Sequence, residues 1–237
     1  VIGPLRMVKS KEEIDTIRAA GQLAEGVLAD LIEDMKPGIT ERQLAARFEF
    51  EFKARGASGA SFDTIAAFGP KSALPHAQPG DKPLERGDIV LLDFGCRLNG
   101  YCSDLTRTFA FGTIPGAWFE ETYHLTLTAQ RRALEAVGPG KPCREVDAIA
   151  RDIITQGGHG KHFGHGLGHG VGIEIHESPR LNPESQAVLA PGMVVTVEPG
   201  IYLPGQGGVR IEDLVVVTED GCENLSKAPR ELRILGT

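Results

Sequence analysis

Residues 89–111 read IVLLDFGCRLNGYCSDLTRTFAF, and this stretch predicts an antiparallel hairpin. An apolar run of strand type comes first, Asn99-Gly100 is a strong signal for a two-residue turn, and a return strand covers about residues 101–111. If Asn99 and Gly100 are the central turn residues, Asp93 faces Thr106. Asp104 then lies diagonally across from Asp93 on the same sheet face, with roughly 7 Å between the backbones. The hairpin therefore directs two carboxylates toward one spot.

Two carboxylates inside a buried hairpin are costly unless something positive lies between them. A divalent metal ion or a shared proton would offset that cost. The alternative is that one aspartate is exposed to solvent and the other is hydrogen-bonded. For Asp93 and Asp104 taken alone, both interpretations stay open.

A second hairpin repeats this arrangement. Residues 193–202 and 209–218 are largely apolar and flank a loop rich in Pro and Gly. A loop centred on Gly205 places Glu198 opposite Glu212, because each lies seven residues from it. Unpaired carboxylates are rare in apolar strands. Two such hairpins in one chain favour a common site for a cation.

A nitrogen ligand is offered by residues 165–176, which read HGLGHGVGIEIH. Glycine at alternate positions lets backbone come close to a crowded site. A histidine among carboxylates can be a metal ligand, a proton shuttle or a hydrogen-bond donor. The alternative for this segment alone is a flexible surface loop. Together with the carboxylates it favours a metal site, and the absence of HExxH and GxSxG leaves single-zinc proteases of that helical type and serine hydrolases of that class unsupported.

Composition excludes several function classes. The chain has 237 residues and a formal net charge of −7, which disfavours nucleic acid as a partner. No apolar run approaches the ~18 residues of a membrane span, so no membrane partner is expected. The four cysteines are sparse and form no CxxC pair, which is typical of a reducing cytoplasm. We therefore expect a cytoplasmic protein.

The order of elements predicts an α+β fold of two similar halves in one domain. Capping boxes at Ser10 and Thr40 begin two helices, which extend to about Gly38 and Gly56. Strands are expected at 62–68, 89–94 and 101–111, helices at 120–137 and 145–156, and strands again at 193–202 and 209–218. Helices followed by strands, twice over, suggest a duplicated α+β unit.

These motifs resemble the catalytic domain of the pita-bread metallopeptidases, the family of methionine aminopeptidase, aminopeptidase P and prolidase. The matching stretches are LLDFG at Asp93, SDLTRT at Asp104, the 165–176 segment, VEPGIY at Glu198 and VRIED at Glu212. The resemblance covers nearly the whole chain. It implies a pita-bread fold with pseudo-twofold α+β halves and an antiparallel sheet around a dinuclear metal site.

The resemblance also implies the metal chemistry. It assigns Asp104 and Glu212 as bridges between two ions, Asp93 to one ion, and His169 and Glu198 to the other. A bridging hydroxide would attack the scissile carbonyl, with Glu198 as the proton acceptor for the nucleophilic water. Oxygen-rich sites with one histidine suit Mn²⁺ or Co²⁺, and Zn²⁺ or Fe²⁺ are also compatible.

Within the family, residue types favour the Xaa-Pro branch, although the length is typical of methionine aminopeptidase. The resemblance assigns His76, His165 and His176 to catalysis and substrate binding, with substrate contacts also from Tyr202 and Arg210. Arg210 would pair with a substrate carboxylate or hold a gating aspartate. The alternatives are a salt bridge from Arg210 to Asp213 or another acid, and core packing for Tyr202.

The resemblance also gives expectations for the domain organisation and for the functional class of the protein. We expect a catalytic domain at 1–237, in which 1–10 resembles an inter-domain connection whose N-terminal domain is missing, and the family favours a homodimer. The expected partner is a peptide with proline at its second position, cleaved as a dipeptide or as the start of a longer peptide. Alternatives are methionine aminopeptidase and a non-catalytic binding module that has lost its metals. A metal-free creatinase-type hydrolase is disfavoured because all five ligand positions are filled.

Overall fold

Five α-helices are present in the computed structural model, which describes residues 3–236. They are α1 (Gly3–Met7), α2 (Lys11–Glu33), α3 (Glu41–Ala54), α4 (Ala117–Ala136) and α5 (Cys143–Gln156). Both predicted capping boxes are confirmed, at Ser10 and Thr40. Helix α2 ends before the predicted Gly38, since Pro37 disfavours helical geometry at the residue preceding it. No helix in this described range is both long and apolar enough to cross a membrane.

Fourteen short strands form four sheets among the described residues. They are β1 (Gly59–Ala60), β2 (Ile65–Phe68), β3 (Ile89–Phe94), β4 (Cys96–Leu98), β5 (Tyr101–Cys102), β6 (Leu105–Phe111), β7 (Gly168–Gly170), β8 (Glu177–Leu181), β9 (Val194–Val197), β10 (Gly200–Leu203), β11 (Gly207–Arg210), β12 (Asp213–Val217), β13 (Cys222–Asn224) and β14 (Ile234–Leu235). The predicted strands are thus present, but several are divided into two pieces.

Two halves of similar order make up the molecule. In the first, α2 and α3 pack on the sheet β14-β6-β3-β2; in the second, α4 and α5 pack on the sheet β13-β12-β9-β7-β8. Each half buries its own apolar cluster between helices and sheet. Helices α2 and α3 precede three strands of the first sheet, and α4 and α5 precede all five strands of the second, which is the repeat of helices followed by strands predicted from the sequence.

The first hairpin has the predicted register. Asn99 and Gly100 have φ values of 50° and 87°, as a primed hairpin turn requires, and Asp93 pairs with Thr106. The return strand is not continuous, because β5 ends at Cys102 and β6 begins at Leu105. Asp104 lies in the gap, directly before β6, so its side chain is not held by a regular ladder.

The second hairpin keeps its predicted register but is broken at both glutamates. Gly200 pairs with Arg210 on one side of the break, and Val197 pairs with Asp213 on the other. Pro199 has no N–H and cannot continue a ladder beyond Glu198. The backbone N–H of Glu198 donates to Leu167 (2.8 Å) and that of Glu212 to Thr106 (3.2 Å). Each glutamate therefore lies at a joint between two sheets.

A buried arginine ties the two halves together. Arg107 on β6 is 1% exposed and donates to the carbonyls of Thr106 and Glu212, and to Asp213 Oδ1 at 2.7 Å. Its remaining donors reach the carbonyls of Ala228 (2.7 Å) and Pro229 (3.0 Å). Asp213 Oδ2 accepts in turn from side chains on α4, β13 and the C-terminal segment: Gln130, Asn224 and Arg230. Both charges of the pair are thus fully hydrogen-bonded out of water.

Arg107→Met should destabilise the protein strongly, because it leaves the Asp213 charge buried without its main partner. Breaking a buried pair from one side costs about 3–5 kcal/mol. Arg131→Met is a matched control, since it removes an equally short but exposed pair with Glu231, and exposed pairs contribute about 0–1 kcal/mol. Urea unfolding of both variants measures the difference. Similar losses in the two variants would contradict the buried-pair assignment.

Candidate metal centre

The predicted site residues line one cavity of about 580 Å³ between the two halves. Its wall includes nine of the ten residues assigned by the sequence: His76, Asp93, Asp104, His165, His169, His176, Glu198, Arg210 and Glu212. Tyr202, the tenth, contacts two of the wall residues, His165 and Arg210. The structure therefore brings together side chains that lie up to 136 positions apart in the sequence, from His76 to Glu212.

Three side chains from distant parts of the chain converge on the wall of this cavity. Asp104, His169 and Glu212 each offer a ligand atom, and these atoms all lie within 4.8 Å of one another. All three residues are buried. His169 Nε2 lies 3.5 Å from Asp104 Oδ2 and 3.2 Å from Glu198 Oε1. Glu198 therefore adjoins the group through the histidine.

The donor set fits divalent cations. Asp93 Oδ1 and Glu212 Oε1 are buried and have no hydrogen-bond partner. A buried carboxylate oxygen without a partner is costly, and a metal ion is one of the few groups that removes the cost. Carboxylate oxygens with one imidazole suit Mn²⁺, Co²⁺, Fe²⁺ and Zn²⁺. These residues would hold such ions without rearrangement of the fold.

The alternating glycines near His169 have a more local cause than the clearance for ligands expected from the sequence. A Cβ at Gly168 would lie 2.0 Å from the Thr196 carbonyl oxygen, and one at Gly170 would lie 2.3 Å from that of Ser178. Strand β7 runs between β8 and β9, so the glycines make room for the backbones of its two neighbours. This close approach places His169 at the centre of the cavity.

Crowding of the carboxylates shifts their proton affinities in the metal-free chain. Burial raises the pKa of Asp104 well above its usual range, and the charges of Glu212 and Asp93 raise it further. Burial and the charge of Glu198 raise the pKa of Glu212 in the same way. For Glu198, burial also acts upward, but the hydrogen bond and charge of His169 outweigh it and the pKa falls. Excess protons therefore reside on Asp104 and Glu212.

Each histidine in the 165–169 segment has its tautomer fixed by the next glycine. Nδ1 of His165 lies 2.8 Å from the Gly166 carbonyl, and Nδ1 of His169 lies 3.0 Å from that of Gly170. A carbonyl only accepts, so Nδ1 carries the proton in both rings. Nε2 of a neutral ring is then an acceptor. Nε2 of His169 faces the carboxylates: when it carries a proton it donates to Glu198 Oε1 at 3.2 Å, and when it does not, its lone pair has the orientation that a metal ligand needs.

The guanidinium of Arg210 is hydrogen-bonded to Asp93 and to two hydroxyl groups. Its guanidinium is buried and donates to Asp93 Oδ2 (2.6 Å), Tyr202 Oη (2.8 Å) and Thr106 Oγ1 (3.1 Å). Of the sequence alternatives, the structure shows pairing with an acid, namely Asp93. Asp213 is instead paired with Arg107. A direct contact of Arg210 with a substrate carboxylate stays a prediction.

Tyr202 extends this chain of donors to His165. The Tyr202 hydroxyl accepts from Arg210 and lies 2.8 Å from His165 Nε2, to which it donates. Burial lowers the pKa of His165 and raises that of Tyr202 to about 12, so both are neutral. The aromatic ring is buried, as the core-packing alternative expected, yet its hydroxyl is part of the cavity network.

His76 and His176 occupy the more exposed part of the cavity wall. The His176 ring packs edge-on against His169, with 4.5 Å between ring centroids. Both imidazoles can therefore reach a molecule in the cavity. Neither lies in the buried group of carboxylates.

Two residues with a place in this site were missed by the sequence interpretation. Arg180 on β8 is exposed and lines the cavity. Alternate residues of an extended segment share a face, and Arg180 follows His176 by four positions. This spacing could have indicated that Arg180 lies on the same face as His176. Glu41 is fully buried and accepts from the N–H groups of Phe68 (2.9 Å) and Gly80 (2.8 Å), which bracket the loop that carries His76. Nothing in the local sequence marks Glu41.

The chain belongs to a known family of peptidases. The model of metallopeptidase family M24 matches residues 15–219, most of the chain. The fold predicted by resemblance is therefore confirmed.

Several similar proteins are named for peptidase activities. An Xaa-Pro dipeptidase of Pyrococcus furiosus is 49% identical over 232 residues, covering 98% of this chain and 66% of the relative. The structure of an Xaa-Pro dipeptidase from Bacillus anthracis superposes with a TM-score of 0.97 at 46% identity, covering 99% of this chain and 66% of that one. An X-Pro aminopeptidase from Thermotoga maritima gives 0.96 at 40% identity, covering 99% and 66%. The chain thus spans about two thirds of the length of these relatives.

Adding Mn²⁺ to chelator-treated protein should raise its melting temperature, because an ion bound only by the folded state stabilises it. Asp104→Asn should reduce this gain. The same variant should raise the melting temperature of the metal-free protein at neutral pH. The folded chain binds more protons than the unfolded one while the pKa values of Asp104 and Glu212 are raised, so its free energy of unfolding falls as pH rises through that range.

Differential scanning calorimetry with and without Mn²⁺ measures both effects. Asp152→Asn is a control, since Asp152 is an exposed aspartate on α5. A melting temperature that does not respond to Mn²⁺ would argue against a metal site in this cavity.

Proposed function

We propose that this chain is the catalytic domain of a dinuclear metallopeptidase that hydrolyses Xaa-Pro peptide bonds. The observation that carries the proposal is the convergence of four carboxylates and His169 at the base of one cavity, with two carboxylate oxygens left unpaired. Family membership supports the peptidase chemistry. Two relatives at 46% and 49% identity are named Xaa-Pro dipeptidases, which supports the proline preference.

Five residues would hold the ions: Asp93, Asp104, His169, Glu198 and Glu212. Two divalent ions bound there would activate a water molecule for attack and stabilise the negative charge that develops on the scissile carbonyl. Four carboxylates balance the charge of two such ions. We propose that both ions are Mn²⁺ or Co²⁺, with Zn²⁺ or Fe²⁺ as alternatives.

Glu198 is the proposed proton acceptor. It is half-buried at the cavity wall, its pKa is lowered, and it is therefore ionised and able to take a proton from water. The hydroxyl of Thr196 donates to Glu198 Oε1 at 2.9 Å and holds that oxygen in place. The second oxygen is then the one available to the nucleophile.

Histidines on the cavity wall would bind the substrate and donate protons to it. His165 is held neutral by burial and oriented by Tyr202, while His76 and His176 are exposed to the cavity. Because Gly166 and Tyr202 occupy both nitrogens of His165, the imidazoles of His76 and His176 are the ones that would donate to the substrate carbonyl and assist departure of the proline nitrogen. A direct contact of His165 with the substrate stays a prediction. Apolar side chains on the wall (Phe62, Ile65, Pro75 and Ile175) can pack against the substrate rings and side chains.

Within the Xaa-Pro class, the geometry slightly favours a dipeptidase. A dipeptide has a free carboxylate next to its scissile bond, and binding it requires a cation on the wall. Arg180 is exposed there, whereas the guanidinium of Arg210 is already occupied by Asp93, Tyr202 and Thr106. Relatives of both kinds, dipeptidase and aminopeptidase, are similar to this chain.

Activity with Mn²⁺ across peptides that differ in length and second residue tests the proposal. We expect hydrolysis of Xaa-Pro dipeptides, with slower cleavage of Xaa-Pro-Xaa tripeptides. Cleavage of methionyl peptides without Xaa-Pro activity would instead identify a methionine aminopeptidase. Metal content below one ion per chain after reconstitution, together with no hydrolysis of any peptide, would favour the non-catalytic alternative.

Arg180→Met should raise the KM for an Xaa-Pro dipeptide by about tenfold to a hundredfold, the equivalent of a charge-assisted hydrogen bond of ~1.5–3 kcal/mol. An Xaa-Pro amide, which lacks the carboxylate, should be hydrolysed almost as well by the variant as by the parent. Arg144→Met is a control on the exposed end of α5, where Arg144 contacts Gln186. Equal losses for the acid and the amide would remove the assigned role of Arg180.

A further inference from the structure

A second cluster of buried charges lies behind the cavity wall, on the side away from the carboxylates. Glu177 begins β8, is 8% exposed, and accepts from Lys9 Nζ at 3.1 Å and from Arg6. Lys9 is itself 6% exposed. Two cations from the N-terminal segment therefore meet on one carboxylate that the proposed mechanism does not use.

The N-terminal segment is fastened to the second half of the molecule at this place. Val8 bridges to Met193, and the N–H of Lys9 donates to the Gly192 carbonyl at 2.9 Å. Helix α1 contacts β8. The cations of the cluster are thus anchored by backbone contacts, and their positions do not depend on Glu177 alone.

The same carboxylate closes the turn that carries His176. The N–H of Glu174 donates to Glu177 Oε1 at 3.1 Å, so residues 174–177 form a turn around the side chain of Glu177. A Cβ at Gly172 would lie 2.6 Å from Glu177 Oε2, which shows how closely the turn approaches the carboxylate. Ile175 and His176 lie within this turn and line the cavity.

The two cations of the cluster face two acids, because Arg6 also lies 3.3 Å from the more exposed carboxylate of Glu174. Burial alone would raise the pKa of Glu177, but the Glu174 N–H and the two cations outweigh it and the pKa is lowered. Burial lowers the pKa of Lys9 against the opposing charge of Glu177. Removing one member would leave a buried charge without its partner, which is strongly unfavourable. The cluster therefore holds the turn in one position.

We propose that Glu177, held by Lys9 and Arg6, is a positioning residue that fixes the His176 turn against the N-terminal segment. This inference rests on the proposed function for its effect on catalysis, since it acts through His176 and the neighbouring Ile175. Glu177 contacts the N-terminal segment through Arg6 and Lys9, while His176 lines the cavity.

Hydrogen–deuterium exchange on the metal-free full chain tests the positioning without any substrate. Glu177→Gln should speed exchange in a peptide covering 171–176 selectively, because the side chain loses its negative charge and one of its two acceptor oxygens. Arg6→Met, which removes the more exposed cation, should give a smaller change in the same peptide. Glu223→Gln is the matched control, since Glu223 lies on β13, the strand at the opposite edge of the same sheet, and the change removes its exposed pair with Arg18. Exchange at 171–176 equal to that of the control would overturn the proposal, as would faster exchange spread evenly over the chain.

Steady-state kinetics with an Xaa-Pro dipeptide then tests the link to catalysis. Glu177→Gln and Lys9→Met should lower kcat/KM by about tenfold or more, as is typical when a group that orients a site is removed. Lys9→Arg keeps the charge and should retain most activity. Selective exchange at 171–176 with unchanged kcat/KM would overturn the catalytic part of the proposal. If no variant and no parent hydrolyses Xaa-Pro peptides, the proposed function fails, while the exchange result still decides whether Glu177 positions the turn.

Discussion

Four carboxylates share one buried space in this protein, and the surrounding structure is organised by the need to keep them there. Two cationic or potentially cationic partners touch them directly: Arg210 binds Asp93, and His169 lies between Asp104 and Glu198. The raised pKa values of Asp104 and Glu212 show that these partners do not suffice in the metal-free chain. Bound divalent cations would offset the remaining negative charge, so the raised pKa values and the fit of the donor set to such ions have the same origin.

Holding the carboxylates in place requires a rigid joint between the two halves. Glu212 belongs to the second half, yet its N–H and its carboxylate both bond to Thr106 of the first, at 3.2 and 2.6 Å. Arg107 then binds the carbonyls of the same two residues from behind. The three contacts fix the backbone and the side chain of Glu212 together. The halves also share apolar packing, since Ile89 and Ala110 of the first half lie in one cluster with Phe119 and Val209 of the second. The polar joint and this packing together set the distance between ligands from different halves.

Much of the fold and of the candidate site could be predicted from short-range sequence patterns. The features that were not predicted depend mainly on contacts between residues far apart in the sequence. Turn chemistry at Asn99-Gly100 and symmetry about Gly205 gave both hairpin registers correctly. The breaks at Glu198 and Glu212 were not predicted: Pro199 could have indicated the first, whereas the second is revealed only by the contact of Glu212 with Thr106. The roles of Glu41, Arg107 and Glu177 were also missed. Each is a buried charge whose partners lie elsewhere in the sequence, and a charged residue in isolation is typical of an exposed surface.

The His-Gly pairs show how local chemistry and distant contacts combine in the site. His165-Gly166 and His169-Gly170 use the same device, in which the carbonyl of the glycine takes the Nδ1 proton of the preceding ring. This local step is identical in both and leaves Nε2 as an acceptor. What the two acceptors then do is decided by residues from other strands: the Tyr202 hydroxyl occupies that of His165 at 2.8 Å, whereas carboxylates surround that of His169. A hydroxyl donor fills the first lone pair and keeps His165 from binding a metal. No hydroxyl occupies Nε2 of His169, so the same dipeptide would offer a metal ligand at this position and not at His165.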